Sequence, residues 1–187
     1  TTAHASGTQT VTASAALFAA TDVGRALAIY LQAGQRAAST AYAVGVTFWA
    51  SYAGVNRLYR VLVAGTTAAY SSSGTTPDYD LNAPREAGIT VVDGTCILKY
   101  LGQGKHAWGF GTITAYTDST HVTVDVAKRG PFAAVAASTR WKLGEWSNAR
   151  GWPRAMTFHD GRTIWGGSGV KPQTIWAGQS GDYENMT

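Results

Sequence analysis

Cysteine is almost absent from these 187 residues: Cys96 stands alone, so no internal disulfide can staple the fold. Its neighbours Val91, Val92, Ile97 and Leu98 are apolar, which predicts a buried structural thiol. A nucleophile would need a nearby His or a helix terminus to lower its pKa, and the local sequence offers neither. Charge is scarce as well, with Asp, Glu, Lys and Arg at 14%, while Gly, Ala, Ser and Thr abound. That composition suits β-rich surface or assembly proteins. No apolar run approaches the roughly 20 residues a membrane-spanning helix needs. The first apolar segment also lacks the basic flank and cleavage site of a signal peptide. There is no initiator Met, and Thr1 to Ser6 have the texture of linker. The chain is therefore expected to be a piece of a longer protein, large enough to bury a real core.

Catalytic patterns are missing too. His4, His106, His121 and His159 show no H-x-x-x-H or H-E-x-x-H spacing, so no metal centre is expected. Hydrolysis of a glycan would need two carboxylates facing each other across a cleft. The acids here are few, and most stand beside turn residues: Asp22, Asp78, Asp80, Asp93, Asp118, Asp160 and Asp182. Aspartate in turns is more simply explained by bonding of its side chain to the backbone. His159-Asp160 has no nucleophile elbow to complete a triad. The Gly-rich stretches 102–111 and 166–169 lack the strand–loop–helix context and the G-K-[ST] of a phosphate loop. No catalytic residue and no cofactor is expected, and the chain reads as a non-enzyme.

What is present is short β-like segments. Thr8–Ala13 alternates, and Phe18–Gly24 is turn-like with Asp22 placed to cap it. Arg25–Leu31 (RALAIYL) has two apolar faces and fits a strand buried on both sides; its alanines leave a helix open, while Gly24 and Gly34 favour the strand. Arg57–Val63 is a strand ended by Ala64-Gly65-Thr66. Ser71–Gly88, with Pro77 and Pro84, is irregular loop. Ile89–Val92 and Thr95–Tyr100 flank Asp93-Gly94, a strong hairpin signal. Trp108–Tyr116 and His121–Val126 are strands joined by residues 117–120, and Ser138–Leu143 is another. Between them Gly130-Pro131 interrupts, and Phe132–Ala137 reads as a helical turn. Ala155–His159 and Arg162–Gly166 flank a second Asp-Gly pair, and Gln173–Ala177 is the last strand. Many short strands with scarcely a helix predict an all-β protein.

Two features invite a binding role. Tyr42, Phe48, Trp49, Tyr52, Tyr59 and Tyr70 give residues 40–100 an aromatic-rich texture. Aromatic faces stack on the apolar C–H surface of sugar rings, which makes Trp49, Tyr52 and Tyr59 candidate glycan or subunit contacts. The alternative is that these rings form the core of a small unit that needs them. Further on, Lys128, Arg129, Arg140, Lys142, Arg150, Arg154, Arg162 and Lys171 face only Glu145 and Asp160 as acids. The first six form a candidate basic surface for nucleic acid or an acidic partner. The competing explanation is a solvated face, or Arg planes lying on the interleaved tryptophans. No helix-based DNA-reading motif accompanies the charge.

Five of the seven tryptophans lie from Trp141 onward, and there the motifs keep an order. They are W-x-L-G-x-W-S (Trp141 to Ser147), G-W-P-R-A-M-T-F (Gly151 to Phe158), R-x-I-W-G-G (Arg162 to Gly167), P-Q-T-I-W (Pro172 to Trp176) and S-G-D-Y-E-N (Ser180 to Asn185). This block resembles the tail tubular or nozzle proteins, and related tail stabilisation proteins, of short-tailed bacteriophages and prophages. Phe18–Arg25 (FAATDVGR) resembles the strand entry that precedes the block in those proteins, and the Trp108–Val126 hairpin fits the same pattern. The resemblance covers most of residues 8–32 and 101–187. One departure is the tight His159-Asp160-Gly161 turn, where relatives carry a longer polar link before the Arg. Residues 40–102, through T-A-Y-A-V-G-V, L-Y-R-V-L-V-A-G-T-T and V-D-G-T-C-I-L-K-Y-L-G, are similar to small modules of phage tail proteins that look like chitin-binding-type carbohydrate modules.

The resemblance implies a small β-barrel or sandwich host domain (1–39 and 101–147) and an inserted aromatic-rich β module (40–100). Residues 148–187 would begin a further, propeller-like β domain. It implies a virion structural protein made in the bacterial host cytoplasm, a ring subunit around the DNA exit path. Its partners would be copies of itself and neighbouring tail proteins, with DNA passing without sequence-specific binding and without membrane insertion. The alternative is a carbohydrate-binding module for attachment to the host surface. Residues after roughly Arg150 are expected to pack as an appendage.

Overall fold

A computed structural model of the chain describes residues 7–52, 54–69, 86–127 and 130–178. The side chain of Tyr52, and Lys128 and Arg129 altogether, lie outside the described residues, as do Tyr70, Pro77, Pro84, Asp78, Asp80, His4 and the S-G-D-Y-E-N motif. The protein is all-β. Among the described residues the only helix is one 3-10 turn, Ala20–Asp22, and none is long and apolar enough to cross a membrane.

The strands are β1 (Gly7–Thr12), β2 (Ala26–Gln32), β3 (Gly34–Gln35), β4 (Ala41–Tyr42), β5 (Thr47–Tyr52), β6 (Val55–Val63), β7 (Gly65–Thr66) and β8 (Thr90–Asp93). They continue as β9 (Cys96–Gln103), β10 (His106–Asp118), β11 (His121–Val126), β12 (Trp141–Leu143), β13 (Ala155–His159), β14 (Arg162–Gly166) and β15 (Ile175–Ala177). Strands β1-β11-β10-β2-β12 hydrogen-bond in that order, as do β3-β5-β6-β9-β8, β13-β14-β15 and the pair β4-β7. The chain divides into two compact units: residues 1–9, 27–111 and 125–142 form the first, and residues 10–26, 112–124 and 143–187 the second. The aromatic-rich stretch 40–100 thus lies within the first unit, and the tryptophan motifs after Leu143 within the second.

The first unit is built on β5 and β6, an antiparallel hairpin in which Phe48 faces Tyr59 and Trp49 faces Leu58. Strand β9 adds beside β6 with register shifts at Leu58/Tyr59 and Val61/Val63. Aromatic and β-branched residues alternate along these strands, as a pleated half-buried surface requires. Their inward set makes the core: Phe48, Ala50, Tyr59, Val61, Cys96, Leu98 and Tyr100, with Tyr42, Val46 and Val91 packed against it. Cys96 is the buried free thiol expected from its neighbours, and burial raises its pKa.

Two local readings change here. Gly65-Thr66 does not merely end a strand; it is β7, paired with Ala41-Tyr42. A Cβ on Gly65 would sit 2.6 Å from the Thr95 carbonyl, so the close approach admits only glycine. The hairpin at Asp93-Gly94 is also displaced by one residue. Asp93 pairs with Cys96 inside the ladder, and the turn is Gly94-Thr95. The cause is an ion pair. Asp93 is fully buried, and its carboxylate accepts from Arg36 Nε at 2.7 Å and Nη2 at 2.8 Å, and from the Ala68 N–H at 2.9 Å. Arg36 Nη2 also donates to the Ala68 carbonyl at 2.6 Å. This carboxylate is a strand residue that clamps Arg36, and it does not serve the turn.

The segment after Pro131 is a further correction, because Phe132–Ala137 forms bends instead of a helical turn. Phe132 and Ala133 are buried, and Phe132 packs so closely on Gly109 that a Cβ there would lie 2.7 Å from its Cα. The contact at Phe132 holds the segment against β10. Beyond it, the strand expected over Ser138–Leu143 is confined to β12. The Ser138 hydroxyl donates to the Tyr30 carbonyl at 2.6 Å instead.

In the second unit Asp22 is 3% exposed and caps its turn by accepting from the Ala19 N–H at 2.9 Å. It also takes Arg25 Nη1 at 2.6 Å, while Arg25 Nε donates to the Gly144 carbonyl at 2.6 Å. Burial by itself would raise the Asp22 pKa; the Arg25 and Ala19 hydrogen bonds and the charges of Arg25 and Arg150 outweigh it and hold the carboxyl below the usual range. Asp118 bonds the backbone of its own turn through the Thr120 and His121 N–H groups. The β13–β14 hairpin turns at Asp160-Gly161, with φ of 50° and 69°, as a two-residue left-handed turn requires. Trp146 holds this sheet, its ring 5.7 Å from Trp165 and 5.5 Å from Trp176.

Candidate functional site

The first unit carries an exposed strip of rings and cations. Along β10 burial alternates: Ala107, Gly109 and Gly111 are buried, while His106, Trp108 and Phe110 look outward, as the two-residue period of a strand dictates. On the neighbouring β2, Tyr30 lies among these rings, 5.2 Å from His106 in a near-parallel stack and 5.1 Å from Trp108. The Tyr30 N–H donates to the Arg140 carbonyl at 2.9 Å, which brings the next segment alongside. Arg140 then lays its guanidinium 4.2 Å from the Tyr30 centroid and 5.9 Å from that of Trp108. Lys142, two residues on, places Nζ 5.2 Å from the Trp108 centroid. Each such contact contributes about 0.5–1 kcal/mol where exposed. Their larger consequence is orientation: two exposed cations are held over rings on one face.

A second ring site lies on β5. Trp49 is half-buried, paired in parallel with Gln35, and Lys105 Nζ stands 4.2 Å over its ring. Of the other aromatic candidates, Tyr52 pairs with Val55 through its backbone. Tyr59 must be withdrawn as a contact. It is 1% exposed, wedged between Phe48 and Tyr100 at 6.3 Å and 5.6 Å, and burial pushes its hydroxyl up to about 12. The unit needs that ring for its core.

The four basic candidates among the described residues take different roles. Arg140 and Lys142 join the aromatic strip, lying over Tyr30 and Trp108, rings outside the basic stretch in sequence. Arg150 reaches Asp22 at 3.4 Å in the second unit. Arg154 is exposed and bonds through its N–H to the Gly166 and Gly167 carbonyls. Sequence reasoning missed Tyr30, His106, Trp108 and Phe110 as a set. The i, i+2, i+4 spacing of the last three was a usable signal, but their meeting with Tyr30 and Arg140 required the strand order.

Two further carboxylates have structural partners. Glu145 pairs with Lys171, whose hydrogen bond lowers its pKa despite partial burial. Asp118 is held low first by the Thr120 hydroxyl, then by the Thr120 N–H and His121. Among the described residues no three His, Cys, Asp or Glu side chains gather as metal ligands would. Comparison with protein-family models and with curated proteins finds no match to this chain.

Proposed function

We propose that the chain is a non-enzymatic structural component of a bacteriophage tail, a ring subunit around the DNA exit path located in the virion. One observation carries this reading. Three of the ordered motifs that resemble the tail nozzle family meet on one scaffold, Trp146 against Trp165 and Trp176. The same sheet leaves Met156, Phe158 and Ile175 59%, 62% and 73% exposed, apolar area of the kind that subunit contacts use. The reading also includes a barrel or sandwich host domain, the 40–100 insert and a propeller-like domain starting near residue 148. The role of Asp22, Asp93, Asp118 and Glu145 in holding turns and cations supports a non-enzymatic part.

An antibody raised against this chain should decorate the tails of phage particles in electron micrographs, and the purified parent protein should form rings. Labelling of the cell envelope alone, with no ring in the purified protein, would exclude the assignment. A second reading, glycan attachment through the insert, is favoured by the half-buried Trp49 ring. Polysaccharide pull-down that disappears in Trp49→Ala would support it, and equal retention by the variant would remove it.

A further inference from the structure

We propose that the face formed by Tyr30, His106, Trp108, Phe110, Arg140 and Lys142 binds single-stranded nucleic acid without sequence preference. The inference stands on this strip alone and does not depend on the tail assignment.

The charge comes first. Arg140 and Lys142 are exposed cations held over Tyr30 and Trp108, so part of the entropy cost of fixing them against a ligand is already met. Among the described residues, strand alternation along β11 puts the acid Asp125 on the same face. That strand flanks β10 on the side away from β2, so the carboxylate stands off from the Tyr30 cluster. The occupant should be an anion.

The hydrogen-bonding character then separates the anions. A guanidinium, an ammonium and an indole N–H are all donors. A sugar polymer presents many hydroxyls, which also need acceptors, and of the strip only the Tyr30 hydroxyl and the His106 ring can accept. A phosphodiester backbone presents acceptors in every repeat. Lastly, the rings favour a single strand over a duplex. Phe110 is 45% exposed, its edge resting on Gly130, and a ring on an open sheet face can stack on an unpaired base. In a duplex the bases are already stacked on each other and the ring would gain nothing. A basic rim beside aromatic platforms on a sheet is the physical recipe for strand binding that tolerates any sequence.

The test is fluorescence anisotropy of a labelled oligo-dT of about 15 nucleotides, a length within the span of sheet-based sites, titrated with the whole chain at several salt concentrations. Binding should weaken steeply with salt. The Arg140→Ala/Lys142→Ala double variant should lose about tenfold or more in affinity and about 1.4 from the log–log salt slope, at roughly 0.7 per phosphate contact. Phe110→Ala should lose about fivefold or more with the slope unchanged, since it removes stacking and no charge. Phe110→Leu keeps the apolar contact with Gly130 and removes the flat ring, so it should show the same loss even if the alanine variant folds poorly. No binding at low salt would overturn the proposal. So would a duplex that competes as well as the single strand, or a phenylalanine series without effect. Preferential competition by polygalacturonate would assign the strip to an acidic glycan instead.

Discussion

The same dipeptide, Asp-Gly, stands at two hairpins in this chain and does two different jobs. At β13–β14 it behaves as local chemistry predicts: Asp160 and Gly161 are the two turn residues, both left-handed, with His159 facing Arg162. At β8–β9 the aspartate has moved into the ladder opposite Cys96, and Gly94-Thr95 turns the chain. The difference is a partner distant in sequence. Arg36, whose side chain is 1% exposed, needs a counter-charge, because an unpaired buried guanidinium would cost several kcal/mol. That demand outweighs the local preference of an Asp-Gly pair for the two turn positions. A hairpin signal therefore identifies the hairpin, while its register can be decided elsewhere.

The comparison can be broken most severely at Asp93. Asp93→Ala should destabilise the first unit by about 3–5 kcal/mol, by stranding a buried charge, as read from urea unfolding. A loss under about 1 kcal/mol would mean that Arg36 finds water on its own. Next comes the turn glycine. Gly161→Ala should cost about 1–2 kcal/mol for the left-handed backbone alone. Gly94→Ala should cost more, since φ is +64° and a Cβ would also lie 2.2 Å from the Thr66 carbonyl oxygen, backbone that cannot swing away. Equal losses at the two glycines would show that β7 yields.

A third aspartate, Asp22, sharpens the contrast through pH. Hydrogen bonds lower the folded-state pKa of Asp22 against the opposing effect of burial, and Lys171 lowers that of Glu145. Groups depressed in this way add stability that is complete above the unfolded carboxylate range, near pH 4, and is lost as pH falls through the folded values. Melting of the second unit should therefore hold steady from pH 7 to about pH 5 and fall below about pH 4. Asp22→Asn should flatten that fall. The smallest effect belongs to Asp160. It is exposed and its carboxylate answers no buried charge, so Asp160→Asn should change stability by less than about 0.5 kcal/mol, checked by the same unfolding curves.

Much of the fold was legible because its signals are local. Alternation along His121–Val126 puts Val122, Val124 and Val126 inside, and the apolar surroundings of Cys96 predicted its burial. Asp22 capped the turn it was expected to cap. The strip was only half legible: Arg140 and Lys142 stood out as charge, while Tyr30 gave no sign of lying beneath Arg140. Tyr59 shows the reverse error. An aromatic in a strand looks alike whether it faces solvent or core, and only the register of β5, β6 and β9 decides which.

The amino-acid sequence by itself determined the all-β class, most strand positions, the inert thiol and the second Asp-Gly turn. Each depends on side-chain period or backbone strain within a few residues, and those act in any context. Tertiary structure decided the turn at Gly94-Thr95, the bends after Phe132, the burial of Tyr59 and the meeting of Tyr30, Trp108 and Arg140. Each of these is set by a group far along the chain (Arg36, Gly109, Tyr100 or a neighbouring strand) whose burial energy exceeds the local preference it overrides.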